Sequence, residues 1–285
     1  METKPGMMPL LDGTEMPRYG LGCYASYGHE ISQAVAWALE CGYRYIDSAA
    51  MYANEKDVGE GLRLAGLDRK KVYILSKVWP KDYEVAANSA QQSLRDLGVD
   101  YLDCCLLHWP GTEEKRRLSA YEQLLRLKDQ GLIRSVAVSN FQADQLERIK
   151  EVFGAYPPIN EIELHPAFQQ RELRQFCLDR GIALVAYSPI KRGAFMGDPR
   201  ILSIGEKYGK TANQVVLRWH LERQQIPIPK SSHYDRIREN FDVFDFSLTP
   251  EETQLINSLE CGGRQGKRSV DLQRLINEHR SIQFL

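Results

Sequence analysis

Eight times along this chain, a short apolar run rich in branched and aromatic residues is followed by a longer stretch with apolar spacing near 3.6. The runs are 19–23, 43–49, 72–78, 101–108, 133–140, 158–165, 183–190 and 226–231. The stretches are 30–41, 54–65, 83–97, 118–130, 142–153, 170–180, 211–224 and 234–244. Strands this short and continuously apolar are buried on both faces, which requires parallel strands covered by helices. Eight such units equal the number that closes a barrel. The sequence therefore predicts an α/β chain forming a (β/α)₈ TIM barrel, one domain over 1–285 with its barrel core at about 19–245.

Local punctuation agrees. Gly42, Gly66, Gly98, Gly131, Gly154 and Gly181 each stand just past a helical stretch, where a left-handed residue ends a helix. Ahead of the first strand, 8–11 runs into Asp12-Gly13 and 14–18 returns, predicting an N-terminal β-hairpin with a type I′ turn. Two pieces fall outside the repeat: a loop with a short helical run at 191–210, and the chain beyond Leu248. LTPEETQLINSL predicts an extra C-terminal helix with Thr249 as N-cap and Glu252 at N3, followed by a tail. A doubly wound open sheet is the competing arrangement, but no glycine-rich phosphate fingerprint follows any strand. The nearest string, Gly59-Glu60-Gly61, falls inside a helix.

Composition limits the partners. A formal net charge of −1 provides no field for nucleic acid or an anionic membrane, so an anionic ligand must be held by local groups. No run of about 18 apolar residues is present. Six cysteines without CxxC spacing read as reduced, mostly buried small apolar side chains. These features predict a soluble, cytoplasmic monomer whose partner is a small molecule, with no nucleic acid and no membrane.

In a barrel the active site lies at the carboxyl ends of the strands, and there the polar residues collect. They are Asp47, Lys77, His108, Ser139-Asn140, Tyr187-Ser188 and Lys230-Ser231, with Glu161, Glu163 and His165 along the sixth strand. Tyr52 follows Asp47 by five residues. A single histidine or lysine at a strand end is ordinarily structural or solvated. The collection is different, because burying it costs several kcal/mol unless its members pair. An ammonium beside a phenol favours the phenolate and lowers its pKa, a role open to Lys77 beside Tyr52. Asp47 would hold the lysine, and His108 would donate to a carbonyl oxygen. Such a group transfers a proton to an oxygen that gains charge. None of the four is a nucleophile or hydride source, so a cofactor is needed. A rival reading takes Glu161, Glu163 and His165, which alternate onto one face, with Asp47 and His108 as metal ligands of a hydrolase. It leaves Tyr52, Lys77 and the IPKS segment without a role, and no metal is expected.

GYRYIDSAAMYANEKDVGEGL (42–62), LSKVW (75–79), LLHWP (106–110), VSNF (138–141), NEIELHP (160–166), YSPI (187–190) and IPKSSHYDRIREN (228–240) resemble, in order, the motifs of the aldo-keto reductase family. The resemblance runs from about Met8 to Leu259. Its short loops are similar to those of compact microbial and protozoan members, the diketogluconate reductases and prostaglandin F synthases. It implies an NADPH-dependent oxidoreductase that reduces aldehydes and ketones to alcohols through a tetrad of Asp47, Tyr52, Lys77 and His108, with Tyr52 as proton donor.

The same resemblance places Ser139, Asn140 and Glu161 on the nicotinamide carboxamide and Tyr187 against its ring. Ser188 and Ile190 would lie along the pyrophosphate, and Cys23 also falls in the cofactor site. Lys230, Ser231, Ser232 and Arg236 would take the 2′-phosphate, with Glu239 and Asn240 on the adenine. A lysine, hydroxyls and an arginine near a helix N-terminus are the chemistry of a phosphate site. Tyr24, Trp79, His108 and Trp109 would line an apolar substrate pocket. The chain departs from the family pattern at Glu161, where glutamine is usual, at His233, where a small hydroxyl residue is common, and in the tail 261–285. A carboxylate accepts from the carboxamide NH₂ but donates to its oxygen only when protonated. The alternative to an enzyme is a non-catalytic barrel that binds NADPH as a redox sensor or partner-binding module; the complete tetrad speaks against it.

Overall fold

The computed structural model describes residues 5–264. An antiparallel hairpin of β1 (Met7–Pro9) and β2 (Glu15–Pro17) comes first. The repeat then runs β3 (Leu21–Gly22), α1 (Gly28–Cys41), β4 (Tyr45–Asp47), α2 (Glu55–Ala65), β5 (Tyr73–Val78), α3 (Ala86–Leu97), β6 (Leu102–Leu107) and α4 (Glu114–Asp129). It continues β7 (Ile133–Ser139), α5 (Ala143–Phe153), β8 (Ile159–Glu163), α6 (Arg171–Asp179), β9 (Ala183–Tyr187), α7 (Pro199–Tyr208), α8 (Ala212–Glu222), β10 (Gln225–Pro227), α9 (Tyr234–Phe241) and α10 (Pro250–Asn257). From β3 to β10 every neighbouring pair is parallel, in sequence order. The ends of this sheet meet: Gly20 N–H donates to Pro227 O and Gly22 N–H to Pro229 O, both at 3.2 Å. Glycine is what the seam admits. A Cβ at residue 20 would stand 2.3 Å from the Tyr45 ring, and one at residue 22 would stand 2.9 Å from Ile228 O.

All eight predicted strands and all eight helices of the repeat form, with shifted ends. The ladders stop before His108, Asn140, Ser188 and Lys230, which stand in the loops just beyond. At the last strand the reason is chemical, since Pro227 and Pro229 have no N–H to donate. The short run in 191–210 is α7, and α10 has the predicted capping box of Thr249 and Glu252. The six glycines expected past helix ends all have positive φ. Gly59 and Gly61 serve packing: a Cβ there would meet Leu97 O at 2.4 Å and Ser32 O at 2.5 Å.

The hairpin turn differs from the type I′ prediction. Gly13 has φ +82°, but Asp12 is not left-handed, and Gly13 N–H donates back to Leu10 O. The loop is the three-residue kind, an ordinary turn followed by one left-handed glycine. Asp12 is thereby freed to reach the barrel base.

Alternation along the strands splits the core in two. Outward residues such as Ile74, Cys105 and Leu107 pack under the helices. Inward residues, among them Tyr45, Tyr73, Leu75, Cys104, Leu106, Val185 and Ile226, fill the barrel, and Leu10 and Met16 of the hairpin region seal its amino end. Following the inward rows upward leads from this apolar plug to Asp47, Lys77, Glu161 and Tyr187 at the carboxyl ends. Among the described residues no helix is long and apolar enough to cross a membrane. The six cysteines are unpaired; Cys23, Cys104, Cys105 and Cys177 are buried and Cys261 is exposed.

Candidate active site

Above the plug opens a cavity of about 860 Å³. Its walls include Asp47, Tyr52 and His108, and at the other end Lys230, Ser231, Ser232, Arg236, Glu239 and Asn240. Lys77 stands behind them, fully buried. It forms a short ion pair with Asp47 Oδ1, donates to Ser48 O at 2.9 Å and lies 3.3 Å from Glu161 Oε1. Asp47 Oδ2 also accepts from the Tyr45 hydroxyl. Tyr52, in the short turn after β4, has the Lys77 ammonium 5.4 Å from its ring centroid. His108, just past β6, lies edge-on to Tyr52 at 5.7 Å.

The electrostatics follow from burial with few partners. Burial alone would lower the Lys77 pKa, but Asp47, Glu161 and Tyr52 outweigh it, and the ammonium is held charged. Burial and the Lys77 charge push His108 well below its ordinary value, so the ring is neutral and one nitrogen can donate. For Tyr52 the expected net lowering does not occur. Burial raises its pKa more than Lys77 lowers it, and Asp47 and Glu161 add to the rise. Lys77 acts with the expected sign, but the resting phenol keeps its proton. Glu161 is also raised, by burial and by the charge of Asp47, against the pull of Lys77.

The β7–β8–β9 wall is tightly knit. Ser139 hydroxyl donates to Glu161 O at 2.9 Å, and Asn140 Nδ2 donates to Ser139 Oγ and His108 O. Tyr187 hydroxyl donates to Asn140 Oδ1 at 2.8 Å. Asn140 and Ser188 are held at positive φ, a conformation uncommon outside glycine, at the rim of the cavity. At the far end, His233 is the N-cap of α9, and its N–H donates to Ser231 Oγ. Arg236 lies exposed on the first turns of that helix.

Cys23, Tyr24, Trp109, Asn140, Glu161, Tyr187, Ser188 and Ile190 line the cavity, as the sequence suggests. Besides the buried Lys77, Trp79 and Ser139 are not among the lining residues. Trp79 packs edge-on against His108, ring centroids 5.0 Å apart. Ser139 is wholly buried and reaches the site through Asn140. Glu163 is taken by Arg264 at 3.0 Å and His165 at 3.2 Å, while Glu161 faces Lys77, which separates the two carboxyls of the rival metal reading. Among the described residues no three histidine, cysteine, aspartate or glutamate side chains converge on a metal position.

Sequence reasoning missed Met51, Arg192, Met196, Asn213 and Arg264, which also line the cavity. Met51 adjoins Tyr52 and was findable by proximity. Arg192 and Met196 come from the excursion after β9, and Arg264 from the tail, where no periodic pattern announces a direction. The rest of the tail, 265–285, lies outside the described residues.

The model of the aldo/keto reductase family matches residues 27–260. A methylglyoxal reductase, DkgA, of Yersinia pestis is 42% identical over 266 residues, 93% of this chain and 96% of that protein. A 9,11-endoperoxide prostaglandin H2 reductase of Trypanosoma cruzi is 40% identical over 90% of this chain and 92% of its own. The solved structure of a Bombyx mori aldo-keto reductase in complex with NADP superposes with a TM-score of 0.87 at 34% identity, covering 94% of this chain and 96% of that one. Barrel, ordered motifs and relatives agree, and the chain belongs to the aldo/keto reductase family.

Proposed function

We propose that this protein is an NADPH-dependent carbonyl reductase in which Tyr52 gives its proton to the substrate oxygen. The observation that carries the reading is one cavity with a proton-donor group at one end and a cationic, hydroxyl-rich loop at the other. The residues present fit the dinucleotide. Asn140 Oδ1 keeps a lone pair for an amide N–H, Tyr187 offers a ring, and Lys230, Ser231 and Ser232 just before α9, with Arg236 in its first turn, supply the groups a phosphate needs. When bound, NADPH supplies the hydride.

The chain's own residues do the remaining work. His108, neutral, orients the carbonyl oxygen by donating a hydrogen bond. Tyr52, protonated at rest, is an acid ready to give its proton as negative charge grows on that oxygen. Lys77 then stabilises the phenolate left behind, and Asp47 fixes the ammonium beside it. Tyr24, Trp109 and Met51 give the substrate end an apolar wall suited to small aldehydes, α-dicarbonyls and aromatic carbonyls. The Yersinia relative's name favours dicarbonyls.

One barrel carries the whole activity in this reading, in a cytoplasmic monomer. The six unpaired cysteines fit a reducing compartment, and sedimentation would test the monomer. The function itself is tested by following NADPH oxidation with methylglyoxal and with an aromatic aldehyde. Turnover with either supports it. Tight NADPH binding with no oxidation above the blank, across a panel of carbonyls, would leave the redox-sensor reading instead.

A further inference from the structure

Lys77 is an ammonium set between two carboxyls, those of Asp47 and Glu161, and all three groups are buried. Asp47 is well supplied: its oxygens take the short contact with Lys77 and the Tyr45 hydroxyl. Glu161 has the longer contact to Lys77 and lies against the Asp47 carboxyl, while its Oε2 is buried with no hydrogen-bond partner. Two carboxylates charged here would leave an uncompensated negative charge in the barrel. The charge belongs on Asp47, which the shorter lysine contact and the Tyr45 hydroxyl meet, and a proton on Glu161, whose Oε2 has no donor.

The wall around Glu161 gives that proton a use. A carboxamide placed there presents an oxygen that needs a donor, and the neighbouring donors are committed. Ser139 hydroxyl is bound to Glu161 O, both Asn140 amide hydrogens go to His108 O and Ser139 Oγ, and Tyr187 hydroxyl goes to Asn140 Oδ1. We propose that Glu161 stands as the neutral acid and donates its hydroxyl hydrogen to the amide oxygen of the nicotinamide carboxamide. It is a positioning residue: it sets the ring against the substrate end without touching the reacting atoms. The inference rests on the reading of this cavity as the NADPH site.

A pH dependence follows. The groups facing Glu161 are Asp47 and Tyr45 on β4, Tyr52 after it, Lys77 on β5, Tyr187 on β9 and Glu163 on its own strand. Burial and Asp47 raise the Glu161 carboxyl well above its ordinary value. Nucleotide affinity should hold while the acid is protonated and fall about tenfold per pH unit once it titrates, because deprotonation removes the donor.

Two measurements test this. The infrared spectrum of the nucleotide-free protein, minus that of Glu161→Gln, should contain the carbonyl band of a protonated carboxylic acid at neutral pH. Its absence overturns the proposal, whatever the variant's affinity. NADPH titrations by protein fluorescence, over rising pH, should show wild type losing affinity where Glu161→Gln stays level, since an amide NH₂ donates without titrating. Glu161→Ala should bind at least about tenfold more weakly than Glu161→Gln at every pH. Wild-type and Glu161→Gln profiles that run parallel would overturn the donor role. Failure of all three proteins to bind NADPH would instead overturn the cavity's assignment, with the infrared band still deciding the protonation.

Discussion

The two ends of the barrel each hold carboxylates close to a lysine, and they solve the problem differently. At the base, Asp12 from the hairpin meets Lys128 at 3.1 Å, Ser135 hydroxyl at 2.7 Å and Thr14 hydroxyl at 2.6 Å. Burial raises its pKa, but these three partners outweigh burial and lower it. At the mouth, two carboxyls share Lys77, and Glu161 Oε2 and His108 Nδ1 are buried without partners. Donors are sufficient at the base and short at the mouth. A fully satisfied buried polar cluster is architecture; one with atoms left over is where a further molecule completes the set.

Removing the lysine at the mouth should have the largest effect. Lys77→Met leaves Asp47 and Glu161 facing each other in a buried site, a loss of about 3–5 kcal/mol at neutral pH on the scale of broken buried pairs. Denaturant unfolding should show that loss shrinking in acid, as the carboxyls take up protons, and turnover should disappear with it. A stability unchanged at neutral pH would mean the mouth is as well supplied as the base. Tyr52→Phe comes next. It deletes the acid and little else, so kcat should fall by about 10²–10⁴-fold while fluorescence titration gives NADPH binding close to wild type. Near wild-type turnover would remove Tyr52 as the proton donor.

These residues could be found in the sequence because alternation is a strong constraint. Asp47, Lys77, Glu161 and Tyr187 lie on inward rows whose lower members are Tyr45, Leu75, Ile159 and Val185, so the strand pattern alone directs them to one mouth. What alternation cannot supply is the distribution of donors. That Asp47 rather than Glu161 receives the short lysine contact depends on side-chain packing across three strands. Loop residues were read less well. Arg192 and Arg264 enter the cavity from segments whose direction is set by contacts such as Lys191 with Gly263 O, which no local periodicity encodes.

A smaller effect is expected at the cavity's far end. Arg236→Ala removes an exposed guanidinium at the first turns of α9, and NADPH affinity should fall about 10–100-fold, the size of one or two charge-assisted hydrogen bonds. NADH affinity should change little. Equal losses for both nucleotides would take the 2′-phosphate away from this loop.

The smallest effect belongs to the base, and its sign with pH separates the two ends. Asp12 has its carboxyl held below the ordinary value of 3.8, so the stability it contributes is present above that value and lost as pH falls through the folded pKa. Asp12→Asn should therefore cost about 1 kcal/mol at neutral pH, a modest figure because the cluster is partly open to solvent. The difference from wild type should vanish in acid, with kcat and NADPH affinity unchanged throughout. Glu161 runs the other way. A carboxyl raised above its ordinary value of 4.5 costs the folded state stability as pH rises toward its folded pKa, so Glu161→Gln should gain on wild type in that direction. If both variants drifted from wild type with the same sign, the donor shortage at the mouth would not be real, and the two ends would be one kind of cluster seen twice.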